Sequence, residues 1–198
     1  MNQIVFATGN EGKVKEVKMI MRDLGMEVIS LKEAGIIANV EENGVTFEEN
    51  AILKAKEIAE HTNAIVLADD SGLEIDFLNK EPGIYSARYL GEDTSYAIKN
   101  KVILERMEGA DDKARSARFV CAMAAVFPDG EVVVSRGVME GMIGYEIQGE
   151  NGFGYDPIFY LPEYHATSAQ ISPEIKNKIS HRGKALELMK LEIKKRLK

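Results

Sequence analysis

Residues 4–13 read Ile4-Val5-Phe6-Ala7-Thr8-Gly9-Asn10-Glu11-Gly12-Lys13, and the order of residue types within them decides what kind of fold follows. Four apolar residues make a short buried strand, and a Thr-Gly-Asn turn leaves it. Val14, Val17, Ile20, Met21 and Leu24 then recur at helical spacing up to Gly25, a stop signal. The stretch from Met26 to Ser30 is again extended. The chain therefore opens as strand, helix, strand, the start of an α/β protein.

The turn in that unit builds an anion cradle. Glycines let backbone N–H groups approach a phosphate closely, the helix N-terminus adds the positive end of its dipole, and Lys13 adds a full charge. Ala7 stands where a Walker loop has its first glycine, Val14 where that loop has a Ser or Thr for magnesium, and GxGxxG is absent. The turn belongs to neither motif, and taken alone it also serves as a plain connection.

The rest of the 198 residues, 45% hydrophobic and 29% charged, suits one large domain or two small lobes around a shared core. A net charge of −7 argues against bulk attraction to nucleic acid or an anionic membrane, so a polyanion must be met by local positive charge. Cys121 is the single cysteine, in the apolar run 119–123, which implies a buried thiol and a reducing compartment. With no leader pattern and no apolar run near the ~20 residues of a membrane span, the cytoplasm is the default.

Thr46 and Glu49 form a T-x-x-E capping box, and Phe47, Ala51, Ala55 and Ile58 mark one face of a helix reaching to about His61. A buried strand follows at 64–68 and a helix at 95–107. Strands at 118–127 and 131–139 join at Pro128-Asp129-Gly130 as a hairpin. Leu186, Met189, Ile193 and Leu197 stripe a last helix with a solvated charged face. No repeat or linker divides the chain, which reads as a single domain over 1–198.

Chemistry gathers in a few places. Asp69 and Asp70 end the strand at 64–68 ahead of Ser71 and a turning Gly72, and strand ends are where α/β proteins carry their sites. Carboxylates there suit a hard cation such as Mg²⁺, or proton abstraction from water; they equally describe acids capping a turn. Glu41-Glu42 precede Asn43-Gly44, and Asn50, Lys54 and Glu57 share a helix face, which aims Lys54 at the strand end or leaves it in solvent. In Gly149-Glu150-Asn151-Gly152-Phe153-Gly154-Tyr155-Asp156-Pro157, rings beside glycines stack on a base or sit in the core. His181 and Arg182 follow Ser180 at a helix start, a place unfavourable to cations until an anion or carbonyl oxygen meets them.

Taken in order, these segments resemble the inosine triphosphate pyrophosphatase family, house-cleaning enzymes that hydrolyse the non-standard purine nucleotides ITP, dITP and XTP to the monophosphate and pyrophosphate. The resemblance rests on TGNEGK at 8–13 with Glu16, EENG with TFEENAILKA at 41–55, ADDSGL at 68–73, PGIYSARY at 82–89, GFGYDPIF at 152–159 and SHRGKAL at 180–186. It covers nearly the whole chain. The family's usual glycine pair before Phe-Gly-Tyr-Asp is here Asn151-Gly152, and asparagine also adopts the left-handed backbone.

The resemblance implies an elongated, mixed, twisted sheet with flanking helices, forming two lobes around a central nucleotide cleft, in a homodimer. It implies that Thr8, Gly9, Asn10, Glu11, Gly12 and Lys13 hold the triphosphate with help from Lys54. Glu41 and Asp70 would bind Mg²⁺, with Asp70 also taking the proton of the attacking water and Ser71 touching substrate. Phe153, Gly154, Tyr155, Asp156, Lys176, His181 and Arg182 would line the nucleoside pocket. The residues alone do not choose between Asp69 and Asp70, because neighbours on a strand point to opposite faces. Arg88 of PGIYSARY either reaches phosphate or belongs to a loop packing Tyr85 and Tyr89.

Donors from Lys176, His181 and Arg182 suit a 6-oxo purine, whereas adenine's amino group would leave them unpaired at a cost of about 1–3 kcal/mol. Guanine shares the oxo group, and no residue accounts for its rejection. Two alternatives share parts of the pattern: a related pyrophosphatase for pyrimidine or methylated nucleotides, and a nucleotide-binding module without hydrolysis. The GFGYDP and SHR segments count against the first, and Glu41 with Asp70 against the second.

Overall fold

The computed structural model describes residues 3–38 and 40–197. It opens with β1 (Gln3–Phe6), α1 (Glu11–Ile20) and β2 (Glu27–Ser30), with β2 parallel to β1 and Ile4 opposite Val28. Parallel neighbours require a crossover, and α1 supplies it. Asn10 caps the helix by accepting the Lys13 N–H on Oδ1 at 3.1 Å. After a 3-10 turn over Met21–Leu24, Gly25 ends the crossover in the left-handed region at φ 76°.

Next comes α2 (Phe47–Ala59), where Thr46 Oγ1 accepts the Glu49 N–H at 3.1 Å. The Glu49 carboxylate reaches past Thr46 to the N–H of Val45 at 2.8 Å, so the capping box closes one residue further out than its pattern implies.

The strand placed at 64–68 does not end there. β3 (Ile65–Ile75) runs through Asp69, Asp70, Ser71 and Gly72, so the carboxylates lie inside a strand and Gly72 makes no turn. Leu73 and Ile75, both fully buried, hold the far half in an apolar core, a tertiary pull that the charged residues hide from a local pattern. The neighbouring β1 is parallel to β3 and its register ends at Phe6 opposite Leu67. From Asp69 onward β3 therefore runs past the carboxyl end of β1, where open α/β sheets carry ligands.

α3 (Tyr96–Arg106) is capped by Ser95, and β4 (Ser116–Val126) and β5 (Val132–Ile143) form the hairpin. At its tip the Phe127 N–H donates to Glu131 O at 2.9 Å and Gly130 sits at φ 84°. β5 continues beyond Met139, because Met142 and Ile143 pair with Tyr160 and Phe159 of β6 (Phe159–Leu161). β7 (Ala166–Thr167), α4 (Pro173–Ile179) and α5 (His181–Arg196) complete the chain. The sheet order is β2-β1-β3-β4-β5-β6-β7, parallel around β1 and antiparallel from β5 to β7, so the mixed sheet with flanking helices is as implied.

The chain forms two compact units. One takes the chain up to Asp70, Cys121–Gly137 and everything from His181; the other takes Ser71–Val120 and Val138–Ser180. Three of the four crossings fall inside β3, β4 and β5. Ile4, Phe6, Val17, Met21, Leu67, Met123, Leu186 and Ile193 build the first core, which also buries Cys121. Leu73, Ile75, Ile103, Met107, Phe119 and Phe159 build the second. Each such large side chain contributes about 1.5–3 kcal/mol on full burial, so each unit has its own core. Among the described residues no helix is long and apolar enough to cross a membrane.

Candidate active site

In the first unit the site begins at the turn leaving β1. Thr8 Oγ1 accepts the Asn10 N–H at 3.2 Å, and Asn10 in turn caps α1, so the side chains of the turn hold its own backbone. Gly9 is exposed, and a Cβ placed on it would meet nothing within 4 Å. Packing within the chain therefore does not call for glycine there. Glu11, Gly12 and Lys13 form the first turn of α1.

Asp69 and Asp70 point into different surroundings. Asp69 is sealed from solvent and takes Lys13 Nζ at 3.0 Å and Arg182 Nη2 at 3.0 Å. Arg182 also pairs with Glu16, and these two carboxylates are the anions that meet a cation at the start of α5. Burial opposes the Arg182 charge, but Asp69 and Glu16 outweigh it and raise its pKa. The start of α5 is seated against Gly137, where any Cβ would collide with the His181 carbonyl oxygen. His181 is itself buried.

Asp70 turns toward α2. Its Oδ2 accepts from Asn50 Nδ2 at 3.0 Å, and Oδ1 lies 3.9 Å from Lys54 Nζ. Lys54 is not solvated: it lies between Asp70 and Glu42, whose Oε1 is at 2.7 Å. Burial raises the Asp70 pKa against the pull of Lys54, Asn50 and Lys13, and the negative charge of Glu42 adds to the rise. Burial works against the Lys54 charge too, but Asp70, Asp69 and Glu42 prevail and its pKa is raised. A carboxyl with raised proton affinity beside a firmly charged ammonium is an arrangement suited to accepting a proton next to a bound anion.

Glu42 and Asn50 are the members the sequence did not single out as site residues. Asn50 is fully buried and its Oδ1 accepts the Gly44 N–H at 2.8 Å, tying the Glu41–Gly44 segment to the residue that holds Asp70. A Cβ at Gly44 would lie 2.7 Å from that oxygen, so glycine is required. Glu41 is exposed, and among the described residues its carboxylate makes no hydrogen bond or ion pair.

Phe153, Gly154, Tyr155, Asp156 and Lys176 of the expected nucleoside pocket fall in the second unit, whereas His181 and Arg182 fall in the first. Gly149, Gly152 and Gly154 hold the left-handed positions of the loop, at φ 86°, 76° and 69°. Asn151 is not left-handed; its Nδ2 donates to Ile171 O at 3.1 Å, so it serves as a tether in place of a second turn residue. Asp156 is buried and accepts the Phe153 N–H at 2.8 Å, Lys176 Nζ at 2.6 Å and Ser168 Oγ at 2.7 Å. Lys176 Nζ stands 5.0 Å from the centre of the Phe153 ring. Tyr155 is in the core, edge-on to Tyr96 with ring centres 5.2 Å apart, and its hydroxyl donates to Ser86 O at 2.7 Å. Ser71 lies on β3 directly after Asp70.

The exposed turn after β1 and the buried Asp70–Lys54 pair stand on a mixed sheet, the architecture of an α/β protein. The model of the Ham1 family matches residues 4–192, and the chain belongs to that family, which bears out the resemblance seen in its motifs. It is similar to the dITP/XTP pyrophosphatase of Bacillus anthracis, 51% identical over 98% of this chain and 96% of that one. The dITP/XTP pyrophosphatase of Clostridium perfringens is 46% identical over the full length of both. The structure of the Staphylococcus aureus Ham1 protein superposes with a TM-score of 0.86 at 45% identity, covering 98% of this chain and 99% of that one.

Proposed function

We propose that this chain hydrolyses the non-standard purine nucleoside triphosphates ITP, dITP and XTP to the monophosphate and pyrophosphate, keeping deaminated purines out of DNA and RNA. The observation that carries the reading is Asp70 in a Ham1-family chain: a buried carboxyl with raised proton affinity, fixed by Asn50 and faced by Lys54.

The donor set fits Mg²⁺. Asp70 and the Glu41-Glu42 pair are hard oxygen ligands, and Lys54 at 3.9 Å offsets the buried Asp70 charge only in part. Asp70 with a carboxylate of that pair would hold the ion, which when bound draws negative charge from phosphate oxygens. The remaining steps belong to the chain. Water attacking the α-phosphorus gives its proton to the Asp70 carboxylate, which Asn50 orients. Its oxygen bonds to phosphorus as the bridge to the β-phosphate breaks, and pyrophosphate leaves with the bridging oxygen. Lys13 and Lys54 meet the charge on the phosphates, with the backbone N–H groups of Gly9, Glu11 and Gly12, since those of Thr8, Asn10 and Lys13 are already donated within the turn.

Phe153 offers its ring face to the base, and Lys176 a donor to the 6-oxo group. The assignment of His181 and Arg182 to the base rests on the resemblance, as do a homodimer and a cytoplasmic setting. The test is to incubate the protein with ITP, XTP, dITP, GTP and ATP, with and without Mg²⁺, scoring pyrophosphate apart from orthophosphate. Metal-dependent pyrophosphate from the inosine and xanthosine nucleotides is the expected result; no turnover, or orthophosphate instead, overturns the reading.

A further inference from the structure

The segment PGIYSARY and helix α3 take no part in the reaction as proposed, yet they are joined to the nucleoside loop by a closed circuit of polar contacts. Ser86 Oγ accepts the Leu73 N–H of β3 at 2.8 Å and donates to Gly83 O at 2.6 Å. The Ser86 carbonyl accepts the Tyr155 hydroxyl at 2.7 Å. One residue on, Ala87 O accepts Lys99 Nζ of α3 at 2.6 Å. The next residue of α3, Asn100, closes the circuit by donating from Nδ2 to Gly154 O at 3.1 Å. Tyr96, one turn earlier, lies edge-on to Tyr155, and a Cβ at Gly154 would meet its ring at 3.6 Å.

The polar members are costly choices for a core. Ser86, Lys99, Asn100 and Tyr155 are 4%, 1%, 3% and 3% exposed. Lys99 has no carboxylate partner among the described residues, only the Ala87 carbonyl and the Tyr96 ring 4.9 Å away. Asn100 Oδ1 is buried with no hydrogen-bond partner among the described residues. Packing alone favours an apolar side chain at 100, so the amide is retained for what its nitrogen holds.

We propose that Asn100 is a positioning residue for the base: by gripping the Gly154 carbonyl from α3, it fixes the left-handed turn over Gly152–Gly154 and with it the direction in which Phe153 presents its ring. Ser86 holds the next residue, Tyr155, from the other side. This rests on the functional reading above and adds to it the device that keeps the nucleoside loop in shape.

Asn100→Leu keeps the four-heavy-atom side chain branched at Cγ while removing both the donor and the stranded acceptor. Its melting temperature should equal or exceed that of the parent, while KM for ITP rises about tenfold and kcat stays within about twofold. Tyr155→Phe, which removes the grip on Ser86 O, should raise KM in the same direction. The double variant should fall short of the product of the two effects, since both act on one turn. Asn100→Ala is measured alongside, so that a folding failure of the leucine variant leaves the same readout. An unchanged KM for ITP, whether or not the melting temperature falls, overturns the proposal and leaves the functional reading intact. A parent protein that releases no pyrophosphate from ITP overturns both.

Discussion

Asp69 and Asp70 are adjacent in sequence, and exchanging each for asparagine should give opposite results. Asp69→Asn removes the one charge shared by Lys13 and Arg182, taking from a fully buried guanidinium one of the two carboxylates it is paired with. Breaking a buried pair by removing one partner costs about 3–5 kcal/mol. At about 2–4 °C per kcal/mol for a chain of this size, the melting temperature should fall by roughly 6–20 °C. Asp70→Asn removes a carboxylate whose ionised form burial already disfavours, so stability should hold within about 1 kcal/mol. Turnover of ITP in that variant should fall by about 10²–10⁴ with the loss of the proton acceptor. Thermal melting followed by circular dichroism, paired with pyrophosphate release from ITP, reads both axes. Near-normal turnover in Asp70→Asn, or parent-like melting in Asp69→Asn, would refute the division of labour drawn from the two environments.

Lys13→Ala should raise KM for ITP, and it should destabilise the protein less than Asp69→Asn because Arg182 stays on Asp69; equal destabilisation would count against that network. Glu41→Gln and Glu42→Gln, titrated with Mg²⁺ during turnover, separate the neighbours: the metal-holding carboxylate shifts the magnesium midpoint upward, and the other leaves it in place. Asp76 accepts from Arg118 Nη1 and Nη2 at 2.9 Å each and from Ser116 Oγ at 2.6 Å, which hold its carboxyl below the usual carboxylate range. Its stabilising contribution is complete above the unfolded-chain value of about 4 and is lost as pH falls through the lower folded-state value. Asp76→Asn should therefore flatten the acid limb of the stability profile measured by urea unfolding, and an unaltered limb would show the pair to be idle.

Local chemistry made much of this legible. Thr46 and Ser95 mark helix starts and Gly25 a helix stop, because capping is decided within a few residues. The run of β3 through Asp69 to Ile75 was not legible: Leu73 and Ile75 are drawn into a core whose other members, apart from Leu78, lie at 103–171. β6, β7 and α4 are too short to show a period. At the site, residue types and spacing drew attention to Asp69, Asp70 and Lys54 but chose neither between the two acids nor between a paired and a solvated Lys54, and they did not show that Glu42 rather than Glu41 closes on Lys54. That choice depends on Gly44 and Asn50, six residues apart, meeting at 2.8 Å.

The crossings between the two compact units bear on how such a protein can change its ligand. Neither unit is one continuous piece of chain, and Asp70 is the last residue of one stretch while Ser71 opens the next. No continuous gene segment encodes either unit: exchanging one needs four splice points, three of them in the middle of strands. Substitution in place, one side chain at a time, leaves those three strands whole, whereas grafting a foreign unit cuts every one of them.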